Sequence, residues 1–73
     1  MTESGLWDYV DKELENAKIS NVLTDAEFSM LNDLVEKGVK KDLEDGIPYG
    51  SKEMEENIIQ MIEYYIDEIR NPS

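Results

Sequence analysis

Apolar residues recur three and four positions apart in three separate stretches of this chain, and this spacing constrains the fold more than any other feature. Residues at that spacing share one face of an α-helix, so each stretch predicts an amphipathic helix. The predicted helices cover residues 4–18, 25–45 and 52–70, and strand-like alternation is weak throughout. Because the connections are short, we predict an all-α fold, a small antiparallel three-helix bundle, with residues 1–73 forming a single acidic helical domain.

The start of the second helix carries the strongest local signal. Thr24–Glu27 reads T-D-A-E, a capping box in which the Thr hydroxyl and the Glu carboxylate each accept a backbone N–H. Leu23 and Phe28 occupy the two positions of a hydrophobic staple around it. Ser4 and Ser51 are the predicted N-caps of the first and third helices.

The sequence does not determine where the first and second helices end. Residues 19–24 are interpreted as a linker after the first helix. Gly38 interrupts the second helix, which either ends there, with the glycine just past its last turn, or continues to about Asp45. Continuation is favoured because residues 39–44 contain good helix formers.

Two carboxylates fall at positions where a bundle favours apolar residues. Glu13 lies at the edge of the first apolar face, and Asp42 projects from the middle of the second. Either these faces are narrower than the pattern indicates, or the two carboxylates meet a cation within a dimer or on another protein.

The chain contains no cysteine and no histidine, which excludes disulfides, the usual zinc sites and Ser-His or Cys-His nucleophile pairs. Carboxylates are plentiful, but neighbours on one helix point into water rather than across a cleft. The segments around Gly38 and Gly46 fail as EF-hand loops, since lysines or aliphatic residues occupy ligand positions. A chain this small also leaves little volume for a ligand pocket of roughly 300–1,000 Å³. We therefore predict a non-enzymatic protein with no cofactor, no catalytic residues and no metal site.

The charge balance indicates the chemistry of a partner. Eighteen acidic residues against seven basic ones give a formal charge of −11. Nucleic acid and anionic membranes are poor direct partners because phosphate binding needs clusters of Lys and Arg. A protein with a basic surface is the better electrostatic match. The cluster Lys37, Lys40 and Lys41 is interpreted as a solvated helix face, the alternative being a contact with another subunit.

The candidate binding surface lies on the third helix, where polar and acidic side chains share one face. This acidic stripe comprises Glu53, Glu56, Gln60, Glu63 and Asp67. Tyr64 flanks the stripe and Tyr49 lies in the preceding turn, and both are interface candidates because Tyr is enriched at binding hot spots. Trp7 and Tyr65 lie near apolar faces and are expected to pack against the core.

In size and charge the chain is similar to small acidic inhibitors of nucleases, restriction or CRISPR enzymes and polymerases that phages and plasmids encode, and to toxin-immunity proteins. The similarity is one of composition and rests on no motif. The expected function is that of an inhibitor or regulator that docks a negative helix face on a basic protein surface. The alternative is a structural or regulatory module that forms a homodimer, or docks, through apolar faces such as the one that Met30 and Leu34 widen. A signal peptide and a membrane span are not predicted, so a cytoplasmic location is expected.

Overall fold

The computed structural model describes residues 2–71, which form three α-helices. Helix α1 spans Glu3–Asn21, α2 spans Asp25–Glu44 and α3 spans Lys52–Arg70. The connections, residues 22–24 and 45–51, are short, so consecutive helices run antiparallel and α1 lies parallel to α3. The predicted all-α three-helix bundle is confirmed.

One apolar core holds the helices together, and all three contribute to it. Helix α2 packs on α3 more extensively than α1 packs on either of them. Trp7 and Tyr65 are half-buried against the core, as their positions predict. Within residues 2–71 no polar or charged side chain is buried. The buried residues are Leu6, Val10, Leu14, Ala17, Leu23, Leu31, Val35, Val39, Met54, Ile58, Ile62 and Ile66.

Helix α1 begins earlier than the sequence predicts. Thr2, not Ser4, is the N-cap: its backbone is extended and its hydroxyl accepts from the Gly5 amide at 3.1 Å. Ser is a somewhat better N-cap residue than Thr, so the cap preference alone favours Ser4 over Thr2. Capping at Thr2 also puts Glu3 in the first turn, where a carboxylate complements the helix dipole.

Helix α1 also ends later than predicted, because residues 19–21 belong to the helix rather than to a linker. Its end is a Schellman motif: the Leu23 amide donates to the Lys18 carbonyl at 3.0 Å and the Val22 amide to the Ile19 carbonyl at 3.4 Å. Val22 therefore adopts the left-handed conformation, with φ 51°, that glycine usually fills. The motif turns Leu23 into the core, where it is buried.

Both halves of the predicted capping box form at the start of α2. The Thr24 hydroxyl accepts from the Glu27 amide at 3.1 Å, and the Glu27 carboxylate accepts from the Thr24 amide at 2.9 Å. Phe28 packs against the core that contains Leu23, as a hydrophobic staple requires. The entry of the chain into α2 is thus determined by residues within five positions of each other.

Helix α2 continues through Gly38 to Glu44, the favoured of the two alternatives. A glycine at this position allows α3 to approach closely, since a Cβ atom on residue 38 would lie 2.6 Å from the Met61 sulfur. The glycine therefore reflects helix packing rather than a helix end.

The connection to α3 uses the turn residues that the sequence marks. Gly46 has φ 88°, and the Ile47 amide donates to the Asp42 carbonyl at 3.1 Å. Ser51 caps α3 by accepting from the Met54 amide at 3.1 Å, as predicted. Helix α3 begins and ends where the sequence predicts, with Arg70 in its last turn.

Candidate protein-binding surface

The structure places all seven candidate binding residues at the surface of the protein. The five members of the acidic stripe share roughly a quarter of the circumference of α3, since each residue advances 100° around the axis. Between the first and the last member the helix rises about 21 Å. The exposed candidates are Glu53, Glu56, Gln60, Glu63, Tyr64, Asp67 and, in the turn before the helix, Tyr49.

The charges of the acidic stripe are not neutralised by the rest of the described chain. Among residues 2–71 the ion pairs join Lys18 to Asp25, Lys40 to Glu36 and Arg70 to Glu27, and none uses a stripe carboxylate. Basic residues occur in α3 only at its two ends, Lys52 and Arg70. The stripe therefore presents an open negative field to solvent.

The two candidate tyrosines lie in different surroundings. The Tyr64 side chain is 61% exposed and packs edge-to-face on Tyr65, with the ring centroids 5.3 Å apart. It lines a shallow depression between α2 and α3 together with Gln60. Tyr49 is 43% exposed but borders neither this depression nor the groove described next. Tyr64 thus shares a depression with the stripe residue Gln60, whereas Tyr49 lies in the turn before α3.

A groove of about 460 Å³ runs between α1 and α3, along one side of the acidic stripe. Ala17 and the isoleucines Ile59, Ile62 and Ile66 form its apolar part. Its volume lies within the range of ligand sites, so the expectation of too little space is wrong. The groove is nevertheless open to solvent rather than enclosed, which suits a protein segment better than a sequestered small molecule.

Carboxylates stand on both sides of this groove. Glu63 and Asp67 come from the stripe on α3, and Glu13 comes from α1. Glu13 and Glu55 also lie near Tyr9. The pKa of the Tyr9 phenol is raised, mainly by burial and to a lesser extent by these two carboxylates. Glu13 was not predicted as a site residue, and its only signal in the sequence is its place at the edge of the α1 apolar face.

The C-terminal end of the groove is closed by Arg70. Its guanidinium donates to the Asn21 carbonyl, one of the free carbonyls at the end of α1, and its Nε lies 4.0 Å from a Glu27 carboxylate oxygen. The pKa of Glu27 is lowered, mainly because its carboxylate accepts a hydrogen bond from the Thr24 backbone. The positive charge of Arg70 contributes less. Arg70 thus ties the ends of α1 and α3 to the start of α2.

Asp42, the second carboxylate at an unexpected position, is accounted for inside the chain. It is half-buried between α2 and α3, and it accepts from the Asn57 amide nitrogen at 3.3 Å. No cation from a second subunit is needed to explain it. Lys37, Lys40 and Lys41 are exposed on α2, in agreement with a solvated face.

The described residues form neither a candidate metal site nor a membrane span. Within residues 2–71 no three His, Cys, Asp or Glu side chains are grouped so as to hold a metal ion. No helix of that range has the length and hydropathy needed to cross a membrane.

Comparisons with protein-family models, curated proteins and solved structures found no match to this chain.

Proposed function

We propose that this chain is a non-enzymatic binding protein that docks the acidic stripe of α3 on a basic protein surface. The observation that supports this proposal is the open negative field along α3, which no ion pair within residues 2–71 neutralises. Such a field accelerates encounter with a cationic partner and selects against anionic ones. An inhibitor or regulator of a nucleic-acid-processing enzyme or a toxin, acting in the cytoplasm, would use a surface of this kind.

The test is retention of partners from a lysate of the source cells on the immobilised protein, with elution by salt. Reversing three stripe charges, with Glu56→Lys, Glu63→Lys and Asp67→Lys combined, removes the retained proteins if the stripe is the binding surface. A matched variant changes three exposed acids outside the stripe and alters the net charge equally: Asp8→Lys, Asp33→Lys and Glu44→Lys. Equal retention by the two variants excludes the stripe as the site.

Exposed aliphatic side chains favour a second function, self-association or docking through apolar faces. Ile19 is 72% exposed, Val22 83% and Met30 50%. Leu34, on the same wide face as Met30, is half-buried. Sedimentation at several salt concentrations distinguishes the two functions, because a homodimer held by apolar contacts persists at high salt whereas electrostatic docking weakens.

A further inference from the structure

The groove between α1 and α3 combines an apolar floor with acidic borders. Its floor is apolar, and Ile59 within it remains 42% exposed. Its borders are acidic on both sides, with Glu13 on α1 facing Glu63 and Asp67 on α3 across the floor. A partner that fits must bring an apolar strip flanked by positive charge on both edges.

The shape of the groove indicates the conformation of that partner. The isoleucines at 59, 62 and 66 follow the three- and four-residue spacing by which one helix packs on another. On the α1 side the lining includes the short side chains of Ala17 and Ser20, which leave space for the side chains of a partner. The lining extends about 12 Å along α1 and about 16 Å along α3, which corresponds to two to three helical turns.

We infer, on the basis of the proposed function, that this groove receives a cationic amphipathic helix of a partner protein. The helix lies between α1 and α3 as the fourth member of a bundle. Its apolar residues cover Ile59 and the small parts of Ile62 and Ile66 that remain exposed, and its Lys and Arg side chains reach the carboxylates on both borders. A second copy of the chain does not fit this description, because its net charge is also −11.

The probe is a fluorescein-labelled synthetic helix of about fourteen residues, made of Leu and Lys with the leucines three and four apart. A peptide of the same residues in scrambled order has the same charge but no apolar face. Binding of both is followed by fluorescence anisotropy at low and high salt. We expect the amphipathic peptide to bind about tenfold more tightly than the scrambled one, since only it covers the groove floor.

Two matched pairs of variants locate the binding. Glu13→Lys and Glu15→Lys make the same charge change on the same helix, but only Glu13 borders the groove. Ile59→Ser and Ile19→Ser remove the same exposed aliphatic group, but only Ile59 lies in the groove. Glu13→Lys and Ile59→Ser should each weaken binding of the amphipathic peptide about fivefold to tenfold more than their controls. Circular dichroism verifies that all four variants are folded.

The outcomes separate failure of the groove from failure of the proposed function. If the two peptides bind equally, and Glu13→Lys and Glu15→Lys lose equal affinity, the groove is not the binding site. The proposed electrostatic function is then unaffected. Absence of salt-sensitive binding for either peptide overturns both. A dimer of the unliganded protein that Ile59→Ser dissociates and Ile19→Ser does not would show that a second copy occupies the groove, which also overturns the inference.

Discussion

Among residues 2–71, Val22 is the one residue other than glycine that has a positive φ. It holds a left-handed conformation, φ 51° and ψ 54°, at the end of α1. That conformation costs a residue with a Cβ atom roughly 1–2 kcal/mol, and a β-branched side chain makes it less favourable still. The side chain is 83% exposed, so little apolar burial offsets this cost.

Replacing Val22 by glycine should therefore stabilise the protein. The relief of strain is partly cancelled, because glycine raises the entropy of the unfolded chain by an amount worth about 0.4–1 kcal/mol. A net gain of about 1 kcal/mol remains, which for a domain of this size raises Tm by about 4–8 °C. Val22→Asn tests the same strain with a smaller entropic penalty, since Asn tolerates the left-handed region. Both variants are measured by thermal unfolding followed by circular dichroism.

Ile19 supplies the control, because it is exposed on the same helix but has ordinary helical geometry. Glycine at that position should destabilise the protein by about 0.5 kcal/mol, since no strain is relieved and helix propensity is lost. Opposite signs for Val22→Gly and Ile19→Gly are the expected result. A destabilised Val22→Gly variant would refute the assignment of strain to this residue.

Three further predictions concern packing, pH and salt. Gly38→Ala should stabilise a Met61→Ala variant by about 1 kcal/mol, because alanine has the higher helix propensity. In the natural chain the same change should stabilise less or destabilise, because the new Cβ meets the Met61 sulfur at 2.6 Å. Additive effects in a double-mutant cycle would contradict this contact. The lowered pKa of Glu27 means that its ionised carboxylate stabilises the fold above the ordinary value of 4.5, and that this contribution is lost as pH falls through the lowered value. The difference in Tm between the natural chain and Glu27→Gln should therefore shrink in acid. Because Gln also serves in a capping box, a difference independent of pH would exclude a contribution from the carboxylate charge. Raising the salt concentration should raise Tm, because screening weakens self-repulsion at a net charge of −11, and an unchanged Tm would count against that repulsion.

Helix bounds could be predicted from the sequence where the capping partners lie close together in the chain. The capping box of Thr24 and Glu27 and the cap at Ser51 involve residues three positions apart, so the pattern alone identifies them. The end of α1 could not be predicted in this way. The position after its last turn is usually glycine, but here it is Val22, and the chain turns there because Leu23 is buried in a core that forms only with α2 and α3.

The candidate site, too, could be predicted from the sequence only where its residues lie on a single helix. The acidic stripe belongs to one helix, so helical periodicity is sufficient to collect its members. The groove needs two helices, and periodicity does not say which edges of α1 and α3 meet or how far apart they lie. Glu13 therefore joins Glu63 and Asp67 only when the packing of the bundle is known.

Glu13 and Asp42 give the same signal in the sequence, a carboxylate at an apolar face. In the structure their surroundings differ. Asp42 accepts a hydrogen bond from Asn57 across the α2–α3 interface, so its polarity is matched inside the protein. Glu13 is half-buried, and none of the ion pairs within residues 2–71 uses it. Local rules of folding that are broken without internal compensation concentrate at functional sites. Of the two carboxylates, Glu13 is therefore the one left available to a cationic partner, and it lines the same groove as the stripe residues Glu63 and Asp67.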